Sequence, residues 1–162
     1  MISKTKAKSI KLIATDIDGV WTDAKMYYTD NGDFMKAFST YDGMAVSLLH
    51  KIDIPVAILT SENSTIVKQR AKKLGIKYIY INEKEKLLRL IYICNNLNIS
   101  MKDVAYIGDD LNDIDVLKKV GISAMPINSP ILKLFKPDYI TKVKGGDGAF
   151  REFADLIIQQ RK

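Results

Sequence analysis

The chain has 162 residues, of which 47% are apolar and 27% charged, a composition suited to one soluble domain with a hydrophobic core. No apolar run reaches the roughly 18 residues needed to cross a bilayer, and the basic start MISKTKAKSI lacks the apolar segment of a signal peptide. The net charge of +6 comes from lysines scattered along the chain, which argues against nucleic acid and suits either attraction of small anions or simple solubility.

Residues 10–18, IKLIATDID, read as the first strand. AKMYY (24–28) and DFMKAFS (33–39) are β-prone stretches joined by TDNG, the signature of a hairpin turn. Residues 40–53 carry helical spacing and hold His50, the only histidine, so histidine-based triads and metal sites built on several histidines lose most of their support. A strand (55–61), a helix (64–75), a third strand (76–81) and a helix (85–98) follow. That last helix holds Cys94, the only cysteine, read as a buried apolar residue of a protein in a reducing cytoplasm. A strand at 103–110, a helix at 112–121, a short strand at 138–141 and a helix at 149–160 complete the chain. Strand and helix in alternation predict an α/β fold: a doubly wound parallel sheet with helices on both faces, formed by a single domain over 1–162. A β-hairpin projects from it. Ligands of such sheets bind at the carboxyl ends of the strands.

The polar residues gather at those ends. The first strand closes on Asp16 and Asp18, the second on Thr60, and the fourth on Asp109 and Asp110, with Asp113 on the next turn and Lys86 opening a helix. Carboxylates converging from separate strands repel one another unless a cation joins them, and hard oxygen ligands suit Mg²⁺. Beside such a cation an ionised aspartate can attack phosphorus, and a second carboxyl two residues on can pass the proton to the leaving group. Thr60 and Lys86 suit the equatorial oxygens of a transferring phosphoryl group.

Asp16-Ile17-Asp18-Gly19-Val20, Thr60, Lys86 and Gly108-Asp109-Asp110 through Asp113 together resemble the four motifs of the haloacid dehalogenase superfamily. More narrowly, DIDGVWTD, the hairpin, Asp42-Gly43, YIGDDLND and the tail KGGDGAFREF resemble its capless phosphatases of 3-deoxy-2-keto sugar acid phosphates. The resemblance implies that Asp16 is the nucleophile, Asp18 the acid/base, and Asp113 the residue that orients Lys86. It implies Mg²⁺ on Asp16, on the main-chain carbonyl of Asp18 and on Asp109, with Asp110 acting through water. It also implies a homotetramer whose hairpins pack together and whose neighbouring subunits cover each site. About 40 residues separate Asp18 from Thr60, room for a ribbon but not a cap domain.

Among substrate contacts, Thr22, Ser61, Glu62, Arg70, Lys73 and Arg151 are the candidates. Octulosonate phosphatases of this branch read Thr-Gly-Arg where this chain reads Thr60-Ser61-Glu62. Glu62 followed by Arg70 and Lys73 is closer to the enzymes for nine-carbon acids, so the expected substrate is a 2-keto-3-deoxynononate or N-acylneuraminate 9-phosphate. The 8-phosphate of 3-deoxy-D-manno-octulosonate is the alternative. A non-catalytic assembly domain, resembling the C-terminal domain of animal sialic acid cytidylyltransferases, is a third reading, although none of the five reacting positions is missing. A phosphoacceptor signalling domain is disfavoured, because the candidate nucleophile follows the first strand and not the third.

Overall fold

The computed structural model describes residues 2–161. The strands are β1 (Leu12–Thr15), β2 (Tyr27–Thr29), β3 (Gly32–Met35), β4 (Val56–Leu59), β5 (Tyr78–Tyr80), β6 (Val104–Ile107), β7 (Ile122–Met125) and β8 (Tyr139–Ile140). The helices are α1 (Lys4–Ser9), α2 (Thr40–His50), α3 (Thr65–Lys73), α4 (Lys86–Leu97), α5 (Ile114–Leu117) and α6 (Ala149–Arg161). Six strands form one parallel sheet in the order β5-β4-β1-β6-β7-β8. From β1 the chain crosses to β4 on one side and later returns to β6 on the other. The crevice of a doubly wound sheet opens at that reversal, at the carboxyl end of β1.

Every residue of β1, β4, β6 and β7 is buried, as a sheet covered on both faces requires. The strand period of two sorts their side chains between two cores. Ile13, Ile58, Ile107 and Ala124 face a core closed by α1, α2, α3 and α6, where Trp21 stacks on Phe150 with ring centroids 4.7 Å apart. Leu12, Leu59, Tyr106 and Met125 face the other core, closed by α4 and α5.

Between β1 and α2 stands the expected ribbon, an antiparallel pair of β2 and β3 separate from the main sheet. Its turn ends at Gly32, whose φ of 100° favours the one residue without a Cβ. No cap domain interrupts the chain here. No helix among the described residues is long and apolar enough to cross a membrane.

Three elements differ from the reading of the sequence. β7 was not expected, because its four residues, wedged between Gly121 and Pro126 and including a serine and an alanine, carry too little pattern to separate them from a loop. The helix expected at 112–121 is a 3₁₀ turn over Leu111–Asp113 followed by the single turn of α5. The basic start forms the short helix α1, capped by the Ser3 hydroxyl, which accepts from the Lys6 amide.

Candidate active site

The cleft, about 240 Å³, lies at the carboxyl ends of β1, β4 and β6 and is lined by Asp16, Asp18, Thr60, Ser61, Glu62, Asp109, Asp110 and Asn112, with Ala24 and Met26 from the ribbon side. Asp16 directly follows β1, and its amide donates to the Ile107 carbonyl of β6, so the sheet itself sets its position. Thr60 is fixed likewise: its amide donates to Tyr80 and its carbonyl accepts from Glu83. Its hydroxyl accepts from the Glu62 amide at 3.3 Å, which leaves the hydroxyl proton free to meet a ligand.

Below the carboxylates lies a buried network. Lys86 Nζ is 3.1 Å from Asp16 Oδ2 and 2.7 Å from Asp113 Oδ1. Asp113 Oδ1 also accepts from the Tyr106 hydroxyl at 2.5 Å, and Oδ2 accepts from the amides of Asp109 and Asp110. Asp113 therefore has no oxygen to spare, although its ligand atoms lie within 4.8 Å of those of Asp16 and Asp109. It orients Lys86 and the Asp109 loop. Gly108 is needed beside it, since a Cβ there would stand 2.4 Å from Asp113 Cγ.

In the cleft, the buried carboxylate oxygens without a partner are Asp16 Oδ1, Asp18 Oδ2 and Asp109 Oδ1. Each costs free energy unless something satisfies it. Burial first, and then the charge of Asp113, push Asp16 up to about 7 despite Lys86. Burial, followed by the charges of Asp16, Asp113 and Asp110, pushes Asp109 up to about 8. Two such carboxyls ionise together at neutral pH only beside a cation. An all-oxygen donor set with orphaned carboxylate oxygens fits Mg²⁺.

The site also holds residues that sequence reasoning missed. Lys36, just past β3, places Nζ 2.5 Å from Asp18 Oδ1; a lysine between Met35 and Ala37 in a β-prone stretch was the only signal. Tyr106 is the one polar tip in the buried run of β6. Asn112 donates to the Ser61 hydroxyl, which in turn donates to the Glu83 carbonyl.

The six candidate substrate contacts separate. Ser61 and Glu62 line the cleft. Thr22 is buried, and its hydroxyl accepts from the amides of Gly19 and Ala24, so it braces the loop that carries Asp18. Arg70 and Lys73 part ways: Arg70 turns back to donate to the Ser39 carbonyl, stacked over Phe38, while Lys73 is exposed. Arg151 pairs with Asp155 on a separate surface groove. The glycine tail packs on the loop after β1 of its own chain, where Gly145 lies so close that a Cβ would stand 1.8 Å from the Gly19 carbonyl oxygen.

This fold and this site define a class. Residues 33–121 match the haloacid dehalogenase-like hydrolase family; the chain belongs to it and is a phosphoric monoester hydrolase whose clustered aspartates can hold a metal ion. Within that class it is 38% identical over 153 residues to the 3-deoxy-D-manno-octulosonate 8-phosphate phosphatase of Escherichia coli strain K12, across 94% of this chain and 81% of that one. The crystal structure of the Moraxella catarrhalis enzyme of the same name, in complex with a magnesium ion, a phosphate ion and KDO, covers 98% of this chain and 91% of its own at 37% identity and a TM-score of 0.92. The cobalt-bound deoxy-D-mannose-octulosonate 8-phosphate phosphatase of Haemophilus influenzae covers 96% of this chain and 91% of its own, at 35% identity and a TM-score of 0.92. The expected preference for nine-carbon acids is not supported, since these relatives are named for the eight-carbon acid. The physical reason lies in the helix that suggested it: in α3, Arg70 is spent on the backbone of residue 39 and Lys73 points to solvent, so the pair does not form a carboxylate pocket.

Proposed function

We propose that this chain hydrolyses 3-deoxy-D-manno-octulosonate 8-phosphate to the free sugar acid and inorganic phosphate in the cytoplasm. The observation that carries the mechanism is the pairing of Asp16, held on one oxygen by Lys86 and open on the other, with the open oxygen of Asp109. The relatives named for this substrate support the choice of sugar acid.

In this reading the Asp16 carboxylate attacks phosphorus, and the bond from phosphorus to the sugar oxygen breaks. The proton of Asp18 goes to that oxygen as it leaves. A water then attacks the aspartyl phosphate, returns a proton to Asp18, and frees phosphate with Asp16 restored. Lys86 and the Thr60 hydroxyl donate to the phosphoryl oxygens as charge builds on them. Asp16, Asp109 and the Asp18 carbonyl would hold Mg²⁺, with Asp110 acting through water, and the ion would supply charge neutralisation between the nucleophile and the phosphoryl group.

The assembly belongs to the same proposal. The ribbon exposes Tyr28, Phe34 and Met35, and α2 exposes Tyr41 and Met44 beside it; a homotetramer that packs ribbon against ribbon would cover these side chains. In that assembly Lys73 and Arg151, which lie outside their own cleft, are proposed to serve a neighbour's substrate.

The test is phosphate release from 3-deoxy-D-manno-octulosonate 8-phosphate, with Mg²⁺ and with EDTA. Turnover with Mg²⁺ and none with EDTA is expected. Release from other sugar acid phosphates but not from this one would overturn the substrate.

A further inference from the structure

The ribbon places a charged group against one of the reacting residues. Lys36 lies 18 residues beyond Asp18, and its Nζ stands 2.5 Å from Asp18 Oδ1. Its side chain is 1% exposed, and its other polar neighbour is Met26 Sδ at 3.4 Å. A buried ion pair adds little stability over apolar side chains of the same volume, so stability alone does not account for a lysine at this place.

The geometry divides the two oxygens of Asp18. Oδ1 takes Lys36, with the Thr22 hydroxyl at 3.5 Å. Oδ2 is buried without a partner, on a residue that lines the cleft together with Asp16. We propose that Lys36 is a positioning residue for proton transfer: it clamps Oδ1 so that Oδ2 faces the leaving oxygen, and it thereby couples the β2–β3 ribbon to the chemistry. This inference rests on the reading of Asp18 as the acid/base given above. The proton that moves belongs to Asp18 and not to Lys36. Oδ2 gives its proton to the sugar oxygen as the bond to phosphorus breaks, and the ammonium then faces the carboxylate that remains.

Leaving groups separate this role from a purely structural one. A nitrophenolate departs from phosphorus without a proton, whereas a sugar alkoxide needs one. The experiment measures kcat/KM, which reports the steps up to the first phosphoryl transfer, for wild type, K36M, D18N and the double variant D18N/K36M, with Mg²⁺ saturating. Two substrates are compared, p-nitrophenyl phosphate and 3-deoxy-D-manno-octulosonate 8-phosphate. K36M is expected to lose about 10- to 100-fold on the sugar ester and less than about threefold on the aryl ester, a split set by the size of general acid catalysis. D18N/K36M is expected to be no slower than D18N, because a residue acting through Asp18 has nothing left to position. Should K36M not fold, K36A, which also lacks a donor, is read the same way. Equal losses on both esters, a K36M enzyme like wild type, or a further loss on top of D18N would each overturn the proposal. A wild-type chain inactive on both esters would overturn the phosphatase reading itself, a result distinct from these.

Discussion

Gly19 lies so close to Asp109 that a Cβ placed on it would stand 1.9 Å from Oδ2, and its φ of 93° lies where L side chains are strained. The glycine of the first acidic motif therefore makes room for the aspartate of the fourth. G19A is expected to push Asp109 out of line and raise the Mg²⁺ concentration for half-maximal activity on the order of tenfold or more. It should also lower the melting temperature by a few degrees, in line with a strain of about 1–3 kcal/mol. Magnesium titration of activity, paired with a thermal melt, checks both. An unchanged magnesium requirement would refute the contact.

Asp16 and Asp109 bind protons more tightly in the folded chain, to about 7 and about 8 against an ordinary 3.8. Groups raised in this way contribute stability that is whole below the unfolded value and is lost as pH rises through the folded one. In EDTA the melting temperature should therefore fall between about pH 4 and pH 8. A metal that binds the ionised carboxyls reverses this, so stabilisation by Mg²⁺ should be larger at pH 8 than at pH 5.5. At 100 times its Kd a ligand adds about 2.7 kcal/mol, roughly 5–10 °C for a chain of this length. Melts in EDTA and in Mg²⁺ at the two pH values measure it. A magnesium shift independent of pH would contradict the burial argument.

D16N removes the proposed nucleophile and also a buried charge. Turnover should drop to background while the EDTA melt at pH 8 stays level or rises, because the amide carries no charge into the desolvated site. Phosphate release and calorimetry on the same preparation separate lost chemistry from lost fold. Ordinary phosphatase rates in D16N would exclude an aspartyl phosphate on this residue.

Y106F takes away one of the two groups that hold Asp113 Oδ1. Loss of that hydrogen bond should cost about 1 kcal/mol of stability, and the loosened Asp113 should let Lys86 drift, lowering kcat about 10- to 100-fold. D113N should be worse in both respects, since Lys86 would keep only Asp16. Steady-state rates and denaturant melts rank the two variants. Wild-type activity in Y106F would show that Lys86 and the amides of Asp109 and Asp110 are enough to hold Asp113.

Replacing Tyr28 and Phe34 by serine removes two of the most exposed apolar side chains of the ribbon. Light scattering should show the proposed tetramer dissociating while the monomer's fold is kept, because neither side chain contributes to the two cores. A wild-type chain that is monomeric at working concentration would remove the tetramer from the proposal.

Read alone, the sequence determined the alternation of strands and helices and the acidic residues at the strand ends. Both are local patterns: period two or 3.6 along the chain, and carboxylates a few residues apart. Asp16, Asp18, Thr60, Lys86 and Asp109 stood out because each closes or opens an element. β7 escaped because four residues flanked by Gly121 and Pro126 hold less pattern than the sheet that fixes them. The roles of Thr22 and Arg70 escaped for another reason: a polar side chain spent on its own backbone looks, in sequence, like one offered to a ligand. Only the tertiary structure decided which carboxylate oxygens are taken and which are open, because that depends on partners from other elements, such as Lys36 on Asp18 and Lys86 on Asp16. Burial then sets the cost of leaving an oxygen open, and burial is a property of the packed chain and not of any stretch of it.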